Sequence, residues 1–550
     1  MPAVQNFDVV VVGGGHNGLV AAAYLARAGR RVCVLERQPV LGGAAVSAYA
    51  FDGMDARLSR YSYLVSLLPQ TIIDDLGLEL RLIRRRYSSY TPEPGTDRGL
   101  LIDNSDIEAT RASFAAIGAD RDAEAFDALG ADLARVAAAV WPTMTGPLPT
   151  ESEVRRMLGD DALWTELFEH PLGRTLRDRF ENDLVRGVVA TDGLIGTFAS
   201  LDDPSLQQNI CFLYHVIGGG TGDWDVPVGG MGAVTGELER VAREAGVEFR
   251  LGAEVVSIAP SGEVVYRTAA VDGDHDDDHD PDDDTITTPT RDETVHGDYV
   301  LANVAPAVLA HLLPGGTGAT PAPAPWPAPI PEGAQTKTNL LLSRLPRLRD
   351  ETVPPEAAFG GTFHINELES QLERAVLDAE GGRIPSPVPA EIYCHSLTDP
   401  SILSPELREQ GAQTLTVFAL HTPHRLVAGC DRAEARAELQ AAVLESLNSV
   451  LAEPIEPLLL TDAHGRPCIE TKTTADLEQA LGLPGGHIFH APLSWPFLPD
   501  DAPRATAAER WGVATEHARI LLCGAGTRRG GGVSGLGGHS AAMAVLDDAL

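Results

Sequence analysis

The chain has 550 residues, a formal net charge of −36 and 44% hydrophobic residues. It is too long for one ordinary core and too apolar to be disordered, so two or more domains are expected. Such acidity repels a phosphate backbone, argues against a nucleic-acid partner, and reads as solubility instead of a binding site. The cysteines Cys33, Cys211, Cys394, Cys430, Cys468 and Cys523 show no C-x-x-C pair or other close spacing. Neither a redox disulfide nor a zinc site is expected, no metal is assigned, and a reduced cytoplasmic protein fits best. No signal-peptide pattern is visible. The longest apolar stretch, 299–313, falls short of the roughly 20 residues of a membrane span, which leaves peripheral membrane contact open.

In chain order, 8–12 predicts a buried parallel strand, 15–28 a helix stopped by Gly29, and 31–35 a second strand. Between the first strand and the helix lies Gly13-x-Gly15-x-x-Gly18, and Glu36 follows the second strand. In that context the glycines have separate jobs. Gly13 permits the tight turn, Gly15 lets backbone approach a pyrophosphate, and Gly18 with Ala22 lets the helix pack closely on the sheet. The helix N-terminus offers free amides and about half a positive charge to phosphates. Glu36 can accept hydrogen bonds from a ribose diol, which favours FAD or NAD over a 2′-phosphorylated cofactor. His16 and Asn17 fill the variable positions of the turn, where a polar side chain can face solvent, and His16 is given no catalytic role. Gly42 and Gly43, followed by Ala44, sit where backbone would return toward the cofactor.

From about 90 to 220 the pattern turns mostly helical, as in 123–140. A nucleotide-domain pattern resumes at 223 with a short strand, Gly229-Gly230-Met231-Gly232, and a helix carrying Val234, Leu238, Val241, Ala242 and Ala245 on one face. Strands at 247–251 and 253–258 follow. The acidic run 272–284 reads as a solvated loop and the Pro/Ala-rich stretch 321–331 as an extended connector. Strands are expected at 338–342, 391–395 and 414–420, with a helix near 432–451. A last strand at 520–523 leads through a glycine run to a helix starting near Ser540. The fold class is therefore α/β. A Rossmann-type nucleotide domain is discontinuous in sequence, drawn from 1–90, 223–313 and 506–550. It interleaves with an α+β substrate domain drawn from 91–222 and 314–505.

The run 8–45 and Ser59-Arg60-Tyr61-Ser62-Tyr63-Leu64 resemble the phytoene desaturase branch of the flavin amine oxidase superfamily. So do Pro227 to Gly232, Ser396 to Ser401 and Gly524 to Gly538, and within that branch flavin-type β-carotene ketolases and a mitochondrial phytoene desaturase-like oxidoreductase are most similar. The resemblance spans the chain, specific at its ends and weak in its middle. It implies FAD, held by Gly13, Gly15, Asn17, Gly18, Glu36, Gly42, Gly43 and Ala44. It further implies a valine backbone on adenine, at Val255 or Val256, and Gly524, Gly526, Gly531, Gly532, Val533 and Gly535 along the pyrophosphate and flavin. Many relatives carry arginine where this chain has Ala44, so amides or another arginine must compensate the pyrophosphate, with Arg37 the candidate.

The implied activity is flavin-dependent desaturation, isomerisation or oxygenation of an apolar substrate such as a polyene. A second strand-GxGxxG-helix unit for a nicotinamide and a G-x-S-x-G elbow are both absent. Electrons are accordingly expected to leave to oxygen, a quinone or another carrier. The helix near Ser540 could aim its positive end at the flavin, with His539 at the junction; capping or solvent contact is the plainer reading of His539. No catalytic residue is assigned, His215 and His490 being more simply structural. An amine or amino acid oxidase, which commonly uses a lysine and an aromatic cage, ranks lower because neither Lys337 nor Lys472 lies in a matching motif. A non-catalytic, chaperone-like flavin protein is a third reading.

Overall fold

Four consecutive valines, Val9 to Val12, are all buried, the pattern of a strand covered on both faces by helices or a second layer. In the computed structural model, which describes residues 4–269, 290–314 and 331–548, they belong to strand Gln5–Val12. The acidic run 272–284 lies outside the described residues, as does the Pro/Ala stretch up to residue 330. Gln5–Val12 pairs in parallel with Val32–Glu36 on one side and with Thr290–Ala302 on the other. The complete sheet runs Glu254–Ile258, Glu263–Ala269, Thr290–Ala302, Gln5–Val12, Val32–Glu36, Glu248–Leu251, with Ile520–Leu522 also alongside Thr290–Ala302. Stretches from the start, middle and end of the chain thus share one sheet. Helices His16–Arg27, Met231–Glu244 and Leu536–Asp548 cover one face with Leu19, Val20, Val234, Leu238, Ala541 and Val545. The other face packs Val10, Val12, Leu35 and Val300 against Leu309 and Leu312. The fold is of the expected α/β class.

A second sheet runs Ile469–Lys472, Thr336–Leu342, Gln413–Ala419, Ala390–Tyr393, Thr362–Ile365, Tyr87–Pro92, Gly99–Asp103. Its pairs are antiparallel except Thr362–Ile365 with Tyr87–Pro92. Helix Arg432–Val450 packs Val443 and Leu447 on its apolar side. Helices between Asp120–Val140 and Gln207–Val216 form a separate core around Trp164, Phe168 and Phe212.

Three local readings are corrected. The stretch expected to be mostly helical begins with strands, and Tyr87–Pro92 crosses residue 90. Its sequence, YSSYTP, lacks the alternation that marks a half-buried strand. The strand expected at 391–395 stops at Tyr393, because His395 opens a helical turn. The last helix starts at Leu536, not near Ser540, so His539 lies inside it.

Candidate functional site

The first strand leaves the sheet at Gly13, whose φ of +99° is a region that favours glycine. Helix His16–Arg27 then begins at Gly15, which has extended backbone and no side-chain cap. Its first amides are therefore left for an acceptor from outside the helix, the arrangement that suits a phosphate. A Cβ on Gly15 would meet nothing closer than Asn303 Nδ2 at 3.4 Å and Gly43 Cα at 3.8 Å. The second glycine loop is different. At the start of Met231–Glu244, the Met231 N–H donates to Ser59 Oγ at 3.1 Å and the Gly232 N–H to Ser47 Oγ at 2.9 Å. Only the first loop presents an open, uncapped helix end, the feature a pyrophosphate fits.

Other elements converge on this loop. Gly42 N–H donates to the Gly14 carbonyl at 2.9 Å, which brings the paired glycines beside Gly15. Glu36, buried, accepts from Gly14 N–H at 2.6 Å and from Gln38 N–H at 2.8 Å. Each carboxylate oxygen keeps a further acceptor site for a ribose hydroxyl. Ala253 N–H donates to the Glu36 carbonyl, and Val255 and Val256 follow on strand Glu254–Ile258, with Val256 at a register shift. Ala44 borders the cavity described below, and its carbonyl accepts from Ser62.

Sequence reasoning missed the group that ties these pieces together. Asn303, directly after strand Thr290–Ala302, donates from Nδ2 to the Gly13 carbonyl at 2.8 Å, and its Oδ1 lies where a Cβ on Gly524 would stand 3.0 Å away. A polar residue closing an apolar strand was the only available signal.

Two expected contacts are corrected. Arg37 is exposed and its guanidinium donates to the Ala480 carbonyl at 3.0 Å, so it braces the helix ending at Leu481 instead of reaching the glycine loop. Asn17 is buried, and its Oδ1 accepts from Gly538 N–H at 3.3 Å. A methyl on Gly538 would overlap the Asn17 carbonyl. Asn17 and the last glycines therefore lock two helices together. Gly526 closes on Pro306, Gly531 on Leu493 and Gly535 on Val20, whereas Gly532 and Val533 face the cavity. His539 is buried edge-on to Tyr24 and Trp511, not at solvent and not at a helix junction.

A cavity of about 540 Å³ lies beside the two glycine turns, reaching His16 and Ala44 next to them. From the nucleotide domain it meets His16, Ala44, Ala525, Gly532 and Val533, and it is lined also by Tyr61, Ser62, Tyr63 and Leu64. Its lining also includes apolar side chains such as Phe126, Leu129, Val188 and Phe212, and polar ones including Arg85, Asp192, His215, His364, Glu391 and Tyr393. The wall residues come from the second sheet, from the helical layer and from segments beside the first sheet, such as His16 and Ala525.

His16, expected at solvent, instead faces this space. Burial and the nearby His490 push its pKa down to about 4, and burial does the same for His490, so both imidazoles are neutral at pH 7. His215 stacks on Trp224 with ring centroids 5.2 Å apart.

Both lysines of the chain line the cavity. Lys337 donates to the Ser59 and Tyr61 carbonyls, each at 2.8 Å, with Nζ 4.9 Å from the centre of the Tyr63 ring. Burial brings its pKa down to about 7. Their place in the sequence concealed this, because strands Thr336–Leu342 and Ile469–Lys472 are neighbours only in the sheet, where Lys337 pairs with Lys472.

Residues 18–332 match the flavin containing amine oxidoreductase family. The chain belongs to this family. Its cofactor is FAD, which supplies a ring able to accept hydride from a substrate carbon. A protein of Mycobacterium tuberculosis described as uncharacterized is 54% identical over 98% of this chain and 97% of its own length. The pyridine nucleotide-disulfide oxidoreductase domain-containing protein 2 of Rattus norvegicus is 29% identical over 98% of this chain and 94% of its own. Among solved structures, putrescine oxidase bound to putrescine superposes with a TM-score of 0.54 at 15% identity, covering 100% of this chain and 99% of that one. That last similarity concerns the fold.

One further contact joins distant parts of the chain. In the Ser396 to Ser401 motif, Asp399 Oδ2 accepts from Gly229 N–H at 2.6 Å while Oδ1 accepts from Ser401. Two of the recognised motifs thus meet as a bridge between the sheets. Neither touches the glycine cradle through that bond.

Proposed function

We propose that the protein is an FAD-dependent oxidoreductase that takes hydride from a largely apolar substrate held in the cavity. The observation that carries this reading is one shared cavity: its lining includes His16 and Ala44, which adjoin the two glycine turns, together with Gly532 and Val533, and also the apolar side chains Phe126, Leu129, Val188 and Phe212. The pyrophosphate would lie against Gly15 and the first amides of the helix, the ribose at Glu36, and the flavin toward Ala44, Gly532 and Val533. Tyr61, Ser62, Tyr63 and Leu64 then position the substrate and exclude water. A carbon hydride donor needs alignment more than an acid-base triad, so the chain's contribution is chiefly orientation. The phytoene desaturase-like branch, with polyene substrates, is the finer assignment; the motif resemblance and the apolar wall support it.

A second reading, an amine oxidase, gains from the structure what it lacked in the sequence. Lys337 stands beside Tyr61 and Tyr63, and the Tyr393 ring lies tilted against Tyr63 with centroids 4.6 Å apart. The two readings separate in an anaerobic test. Purified yellow protein is mixed with phytoene or β-carotene in detergent, and separately with putrescine and cyclohexylamine, while flavin bleaching is followed. Bleaching by the polyene alone supports the first reading and bleaching by an amine alone the second. A yellow protein bleached by neither class defeats both.

A further inference from the structure

We propose that Arg85 is a specificity-determining residue that binds a carboxylate on the substrate, making the substrate class an apolar carboxylic acid. This rests on the oxidoreductase reading and names the chemistry of its substrate.

Arg85 is enclosed by protein yet keeps accessible surface, and it lines the cavity. Its Nη1 donates to Thr362 Oγ1 at 3.1 Å and its Nε reaches the Trp224 carbonyl at 3.4 Å. Its guanidinium carbon is 5.7 Å from the centre of the Tyr393 ring. Among the described residues, Nη2 has no hydrogen-bond partner and no carboxylate lies within ion-pair distance of Arg85. In a chain with 78 acidic and 42 basic residues, a buried arginine without an acid is conspicuous. Its neighbour Arg84 is held by Asp223 and Asp225, and Lys472 lies 3.4 Å from Glu470.

The acids facing Arg85 do not neutralise it. Asp225 is already engaged by Arg84 at 2.6 Å. Glu391 accepts from the Tyr393 hydroxyl at 2.5 Å, and burial raises its pKa to about 8. Burial also raises Asp192. Tyr63 and Tyr393 are held neutral for the same reason. A buried charge without a partner is costly, and a guanidinium fork suits a planar carboxylate. One fixed cation balances a monoanion, whereas a phosphate dianion would leave a charge unpaired. The apolar side chains that line the same cavity then take the hydrocarbon body.

The test uses FAD-loaded protein and follows the visible flavin absorbance on titration with decanoate, decan-1-ol and decylamine at constant ionic strength. Decanoate is expected to bind at least about tenfold tighter than decan-1-ol, since a hydrogen bond to a charged group is worth about 1.5–3 kcal/mol. Decylamine should bind weakest. Arg85→Met should abolish the preference for decanoate over decan-1-ol, and Arg85→Lys should retain part of it. Equal binding of acid and alcohol by the wild type overturns the proposal, as does tightest binding of the amine; both are read without any variant. A preference that persists in Arg85→Met also overturns it. A protein that fails to hold FAD refutes the oxidoreductase reading instead, and is recognised at once by its colour.

Discussion

Substituting Gly15 by alanine should separate folding from cofactor binding. The backbone there has φ −70° and ψ 172°, which alanine adopts without strain. The new Cβ would sit 3.4 Å from Asn303 Nδ2 and 3.8 Å from Gly43 Cα, ordinary contact distances. Exchanging a glycine N-cap for alanine costs roughly 1 kcal/mol, partly offset by about 0.4–1 kcal/mol from the stiffer unfolded chain. The flavin-free protein should therefore melt within a degree or so of wild type, on the order of what a few tenths of a kcal/mol moves in a large chain.

The same methyl stands on the open side of the loop, where the pyrophosphate would meet the uncapped amides. Displacing even one charge-assisted hydrogen bond there costs about 1.5–3 kcal/mol, so FAD affinity should fall about 10- to 100-fold. Flavin fluorescence quenching on titration of flavin-free protein gives the affinity, and thermal unfolding gives the stability. Gly18→Ala is the control: its methyl would overlap the Gly13 carbonyl and stand 2.7 Å from Asn303 Nδ2. That overlap should cost about 1–3 kcal/mol of stability, because neither neighbour is free to yield. If Gly15→Ala binds FAD with unchanged affinity, the loop does not cradle the pyrophosphate and the reasoning fails.

Asp399→Asn should weaken the bridge to Gly229 N–H by about 1.5 kcal/mol or more, lowering the unfolding temperature without changing the flavin spectrum; an unaltered melt would remove the bridge from the account. Lys337, its pKa brought down by burial to about 7, carries its charge below that pH and loses it above. The holoprotein should show a step in flavin absorbance around pH 7 that Lys337→Met abolishes, and a step surviving the substitution would assign it elsewhere. His421 and His395 are pushed by burial to about 3, and His487 and His539 to about 4. The unfolded chain takes up these protons as pH falls below 6.5 while the fold resists them. Each histidine's contribution is therefore complete above 6.5 and is lost at about 1.4 kcal/mol per pH unit on acidification. Glu391, raised to about 8, works the other way: its contribution is present below its unfolded value of 4.5 and is lost as pH rises through about 8. With four histidines against it, the melting temperature should drop between pH 6.5 and 5, and a flat profile would contradict their burial.

Asp8 to Glu36 could be read almost completely from the sequence because each feature there is local. A run of valines, a turn glycine and a helix of small residues determine strand, loop and helix without outside help. The same holds for Met231–Glu244, whose apolar face repeats at helical spacing. What distinguishes the two glycine loops was not local. Ser47 and Ser59 occupy the amides of the second loop from elsewhere in the chain, and only the first is left open.

The cavity was the least legible part, for the same reason. Lys337 and Lys472 are far apart in sequence and become partners through strand register, and Arg85 sits in a run of three arginines of which only it lacks a carboxylate. Identity of residues in sequence determined that this chain builds a dinucleotide fold with a glycine cradle. Which side chains face one another across the cavity, and which charges stay unpaired there, was decided by sheet register and burial, since electrostatic partnership depends on distance in space and on the solvent excluded around it.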